Sequence, residues 1–87
     1  MNKDLLKTVI AQNGSILQMI IAMEEMSELT KELSKSIRGF NNRDAILEEV
    51  ADVYIMLMQV EIIHGIEMNE LVAMIEKKLE RLEEGLK

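Results

Sequence analysis

Apolar residues recur three and four positions apart along almost the whole chain, and the breaks in that rhythm fall at glycine and asparagine. The pattern predicts a first helix at about residues 2 to 12, ended by Asn13 and Gly14, and a second from Ser15, taken as its N-cap, to about Arg38. Gly39 stops the second helix. The turn "GFNNRD" at Gly39 to Asp44 carries Asn and Asp residues suited to cap a third helix running from about Asp44 to His64, which Gly65 ends. A fourth helix is predicted from Met68 or Asn69 almost to the C-terminus, with Met68, Leu71, Val72, Ile75, Leu79, Leu82 and Leu86 on one stripe. The chain therefore reads as all-α: a compact antiparallel bundle of about four helices.

In the third helix "VYIMLM" at Val53 to Met58 is apolar on every side, which predicts a central position. The eight methionines are read as adaptable core packing. Residues 1–87 make one small domain, and a monomer of that length buries only about 60% of the surface its unfolded chain exposes. With 48% of residues apolar, part of that surface is expected to face another copy, giving a homodimer or homotetramer.

Cysteine is absent, so neither a disulfide framework nor a thiolate metal site can form, and a cytoplasmic location is the default expectation. The N-terminal "MNKDLLKTVIAQNG" has no long apolar run, and no segment approaches the roughly 20 apolar residues of a membrane span. Ten basic against sixteen acidic residues give a net charge of −6, with one Tyr and one Phe to stack on bases, which argues against a nucleic-acid strand as partner. A single nucleotide is compatible with that charge if divalent cations stand between protein carboxylates and phosphates.

The charge is concentrated in two places within the most apolar helices, "EEMSE" at Glu24 to Glu28 and "EEVAD" at Glu48 to Asp52. Helical spacing puts Glu25 with Glu28, and Glu49 with Asp52, each pair on one face. A short turn between the helices makes them antiparallel neighbours, so the two pairs can converge. Four converging carboxylates repel unless protonated or bound to cations, and an oxygen-only set suits Mg²⁺, with Mn²⁺ as an alternative. The competing reading is a solvated acidic face with Lys31 and Lys35 as ordinary ion-pair partners. Apolar flanks, Ile21, Ala22 and Leu29 around Glu25 and Val53, Ile55 and Met56 around Asp52, depart from a uniformly polar face.

These residues resemble the all-α nucleoside triphosphate pyrophosphohydrolases, in particular the small MazG-like proteins of phages and Gram-positive bacteria, whose signature is E-E-x-x-E followed by E-x-x-D. Here the halves are Glu24-Glu25-Met26-Ser27-Glu28 and Glu49-Val50-Ala51-Asp52. The similarity extends from about Gln18 to "KKLERLEEGL" at Lys77 to Leu86, leaving out only the first helix. The resemblance implies hydrolysis of a nucleoside or deoxynucleoside triphosphate between the α and β phosphates, giving monophosphate and pyrophosphate, with Mg²⁺ as cofactor. It implies Glu25, Glu28, Glu49 and Asp52 as metal ligands and Glu24 as the group that orients or deprotonates the attacking water. Relatives often carry a further basic residue near the position of Gly85, so the phosphate-binding set is expected to be incomplete or supplied differently here. A phosphoribosyl-ATP pyrophosphohydrolase is a related activity.

Further residues are weighed against plainer roles. Lys78 and Arg81, three apart on the fourth helix, are candidate phosphate contacts or partners of Glu76, Glu80 or Glu84. Gln18, two turns before Glu25 with small Ala22 between, is a candidate reader of the base or an ordinary surface residue. His64 is read as a helix C-terminal group, and Tyr54 and Phe40 as packing residues. The alternative function is a non-catalytic helical oligomerisation or nucleotide-binding module whose acids keep the surface soluble.

Overall fold

A computed structural model describes residues 2–87, which form four helices and no strand: α1 Lys3–Asn13, α2 Ser15–Ile37, α3 Arg43–His64 and α4 Met68–Gly85. The all-α expectation holds, and the predicted boundaries lie within one or two residues of those observed. Two punctuation points differ in chemistry. Gly14, not Ser15, is the N-cap of α2, and its φ of 89° is a conformation in which a side chain is strained. Asn42 occupies the N-cap of α3, yet its side chain caps nothing. Its amide nitrogen instead donates to the Glu32 carbonyl at 2.9 Å and to Glu32 Oε1 at 3.2 Å, and its Oδ1, the atom that could accept from the helix end, is buried without a partner. At the start of α4, Glu67 and Glu70 form a reciprocal capping box that the sequence reading did not anticipate.

α2 and α3 pack along their lengths, and α1 lies across both. Cross-pairs at 18 with 59, 25 with 52 and 32 with 42 run in opposite order on the two segments, so the pair is antiparallel. α1, α2 and α3 each touch the other two, so α3 is not singled out as central, and its apolar run is not enclosed: Tyr54, Ile55 and Leu57 are exposed, while Val53 and Met56 are buried. Phe40 is exposed as well, with the Arg38 guanidinium 5.5 Å above its ring. The packing role expected of the two aromatics is therefore not realised within one chain.

α4 packs against none of the other helices, and none of its residues is buried. Its stripe of Met68, Val72, Ile75, Leu79, Leu82 and Leu86 faces solvent in the single chain. No single helix among the described residues is long and apolar enough to cross a membrane.

Candidate metal centre

The face that α2 turns toward α3 carries Gln18, Ala22, Glu25, Leu29 and Glu32, alternate steps of four and three that keep all five on one side of the helix. Polar residues thus enter the helix pair every seventh position, in three layers separated by an alanine and a leucine. Each layer is completed by α3 or the turn before it, and the three are solved differently.

In the first layer Gln18 and Gln59 are buried together. Gln18 Nε2 donates to Gln59 Oε1 at 2.7 Å, Asn13 Nδ2 donates to Gln18 Oε1 at 3.0 Å, and Gln59 Nε2 donates weakly to the Met56 sulfur at 3.5 Å. This chain ties the end of α1 to α2 and α3. In the third layer Glu32 accepts from Asn42 and pairs with Lys35 at 3.3 Å. The Asn42 hydrogen bond, helped by Lys35 and Lys31, holds its carboxyl below the usual glutamate range despite burial.

The middle layer has no such partner. Glu25 meets Glu49 and Asp52, with one carboxylate oxygen from each lying within 4.8 Å of the others. Among the described residues no Lys or Arg pairs with any of the three. One oxygen of Glu49, Oε2, is shut off from solvent and has no hydrogen-bond partner. Burial raises the Glu25 pKa, reinforced by the Asp52 charge, by the hydrogen bond a protonated Glu25 shares with Asp52, and by Glu49 and Glu28. Burial likewise raises Glu49, followed by the charges of Asp52, Glu28, Glu32 and Glu48. Two acids on one stripe of α2, Glu25 and Glu32, are thus driven in opposite directions by what faces them.

The donor set fits a hard divalent cation. It is all oxygen, and the chain's one histidine, His64, stands three turns beyond Asp52 at the other end of α3. One oxygen from each residue lies within 4.8 Å of the others, so the three could converge on a single ion. A cation would also supply the partner that Glu49 Oε2 lacks.

Of the residues singled out from sequence, Glu25, Glu49 and Asp52 are brought together. Glu28 stands beside them, exposed, close enough for its charge to push up both glutamates. Glu24 is exposed about 100° round α2 from Glu25, outside the cluster. Gln18 is neither a surface residue nor free to read a base: it is 3% exposed and its amide is engaged on both sides. Lys78 and Arg81 are exposed on α4, which packs against neither acidic helix, and neither makes an ion pair among the described residues. A concavity lined by Lys3, Met58, Glu61, Ile62, Ile66 and Met68 lies between α1 and the α3–α4 junction, and none of the clustered acids lines it. Sequence reading passed over Gln59 and Glu32 and gave Asn42 only a capping role. The signal was present as the seven-residue spacing of Gln18, Glu25 and Glu32.

Comparison of the chain with protein-family models, with curated proteins and with solved structures finds no match.

Proposed function

We propose that the chain is a Mg²⁺-dependent nucleoside triphosphate pyrophosphohydrolase, whose catalytic end is the middle layer of α2 and α3. The observation that carries this reading is the unneutralised meeting of Glu25, Glu49 and Asp52 between two helices whose other polar layers hold Gln18 and Glu32 in hydrogen bonds. A chain that needed only solubility would place such acids outward, where water screens them. The resemblance of "EEMSE" and "EVAD" to the signature of that enzyme class supplies the reaction.

Glu25, Glu49 and Asp52 would hold the cation, with Glu28 one turn from Glu25 available as a fourth ligand. When bound, Mg²⁺ neutralises the polyphosphate and stabilises the charge that develops as it is cleaved. The chain's own carboxylates keep a fixed, partly dry set of oxygens on one side of the substrate, so orientation is set before the chemistry begins. Water adds its oxygen to the α phosphorus, the bond from that phosphorus to the bridging oxygen breaks, and the β and γ phosphates leave as pyrophosphate. The proton lost by the water needs a base on the open side of the cluster, and Glu24 is assigned there on the resemblance alone. Gln18 is left out of the assignment, since reading a base would break a buried hydrogen bond.

The test is incubation with a panel of nucleoside and deoxynucleoside triphosphates, in Mg²⁺ or in EDTA, resolving monophosphate and pyrophosphate from diphosphate and phosphate. Monophosphate plus pyrophosphate, abolished by EDTA and reduced at least about 100-fold in Glu49→Gln, is expected. A folded, Mg²⁺-saturated protein that turns over none of them would instead make the chain a binding module.

A further inference from the structure

One row of α2 changes character along its length. Leu17, Ile21, Glu24, Glu28, Lys31 and Lys35 follow one another at alternate steps of four and three, so they line up along one side of the helix. The row lies about a quarter turn from the stripe that faces α3, on the side where Glu28 stands beside the clustered acids. Ile21 and Lys35 are half-buried and the other four are exposed. From its N-terminal end the row is apolar, then acidic, then basic. Antiparallel packing sets Ile55 of α3 level with Ile21, and Ile55 lines an apolar depression with Asn2, Leu5, Leu6 and Met58. One end of the row thus offers a phosphate nothing, and the other offers it two ammonium groups.

We propose that Lys31 and Lys35 are the phosphate-binding pair of the site, holding the two phosphates that leave as pyrophosphate while the nucleoside points the other way, toward α1. The inference rests on the proposed hydrolysis for the identity of its ligand. Lys31 stands about 4.5 Å and Lys35 about 10.5 Å beyond Glu28 along the helix axis, at 1.5 Å per residue. A polyphosphate held over the acids through a cation therefore meets one ammonium group and then a second as it extends toward the α2–α3 turn. A lysine is a compact point charge on a flexible stem, which suits it to follow a phosphate chain.

These two lysines are singled out by what surrounds them. Lys35 is held in place by Glu32 at 3.3 Å, and Glu32 is fixed in turn by Asn42. Lys31 acts on the same carboxylate, so one negative charge stands against two positive ones. Among the described residues Lys31 forms no ion pair, neither with Glu28 one turn before it nor with Glu48 of α3. Ala45 occupies the place seven residues before Asp52 on the same face of α3, so no further acid enters between the helices at the level of the lysines. The other basic groups are engaged or distant. Arg38 lies over Phe40, Arg43 pairs with Asp44 at 3.9 Å, and Lys78 and Arg81 stand on a helix packed against neither α2 nor α3. Where Gly85 leaves the expected basic residue missing, α2 supplies the charge instead.

Calorimetric titration with pyrophosphate in Mg²⁺ tests the pair without needing turnover, and Lys31 is exposed, so its substitution leaves the packing intact. The wild type should bind pyrophosphate, and Lys31→Gln should bind it about tenfold more weakly, the scale of losing one hydrogen bond to a charged group. Lys31→Gln combined with Lys35→Gln should bind it more weakly still. Affinity for Mg²⁺ alone, and for a nucleoside monophosphate in Mg²⁺, should not fall in Lys31→Gln. Equal pyrophosphate affinity in Lys31→Gln and the wild type overturns the proposal, as does a wild type that binds no pyrophosphate. Loss of monophosphate binding in place of pyrophosphate binding also overturns it, by reversing the nucleotide along the helix. The hydrolysis is judged apart, by the products of the triphosphate panel. A protein that turns over triphosphate while Lys31→Gln binds pyrophosphate normally keeps the reaction and loses this pair, whereas one that binds pyrophosphate through Lys31 and yields no product keeps the pair and loses the reaction.

Discussion

Glu25 and Glu32 occupy equivalent places on α2, seven residues apart on the stripe that faces α3, and their carboxyls titrate in opposite directions. The difference is made across the helix pair, by acids opposite the first and an amide with lysines beside the second. A raised pKa means that the folded chain holds a proton more tightly than the unfolded one. Ionised Glu25 and Glu49 therefore oppose folding at neutral pH, and that opposition fades as pH falls toward the ordinary glutamate value of 4.5. Glu32, with its lowered pKa, favours folding at neutral pH and gives that up only as pH falls through its own depressed value. Thermal melts in EDTA should thus show the melting temperature rising as pH drops from about 7 to about 5, a trend flattened in Glu25→Gln and Glu49→Gln. A melting temperature that falls over that interval would contradict the assignment. At pH 7 without metal, Glu49→Gln should itself melt higher than the wild type, the sign expected when a charge is removed from a group of like charges.

Among the elements, periodicity was enough to place four helices, because their breaks coincide with Gly14, Gly39 and Gly65, each at positive φ. Periodicity was not enough to orient them. An apolar stripe is ordinarily the buried one, yet α2 turns Gln18, Glu25 and Glu32 inward and leaves Met23, Met26 and Leu33 out. The residues that reverse the usual choice lie on other segments: Gln59 and Asn42 satisfy two of the polar layers, and no reading of α2 by itself contains them. For the same reason Gln18 could not be placed from sequence, whereas the pairing of Glu25 with Glu49 and Asp52 could, since a short turn dictates which ends meet. The Gln18–Gln59 contact is a direct test of this layer. Gln18→Leu or Gln59→Leu alone should cost about 1–3 kcal/mol in urea denaturation by stranding a buried amide. The double variant should cost less than the sum of the two, and additive losses would show that the hydrogen bond carries no coupling.

For the whole molecule, three helices pack and the fourth does not, and the radius of gyration of 15.7 Å exceeds the roughly 12 Å of a compact chain of this length. The shape and the exposed apolar residues of α2 and α4 have one explanation if the folded unit is larger than one chain. Folding and association are then linked, so the melting temperature should rise with protein concentration, and a value independent of concentration would count against an assembled state. Lys78 and Arg81 stand on a helix that finds no packing partner within its own chain, so packing of the single chain does not hold either of them beside the clustered acids. What unites residue, element and molecule is the middle layer, where packing brings carboxylates together and supplies nothing to neutralise them. Calorimetric titration of the metal-free protein with Mg²⁺, beside Glu49→Gln, addresses that point most directly. Saturable binding of at least one ion per chain, weakened at least about tenfold in the variant, is the predicted result, tenfold being the lower end of what losing even an outer-shell partner costs a metal site. No binding, or binding that Glu49→Gln leaves unchanged, would contradict it.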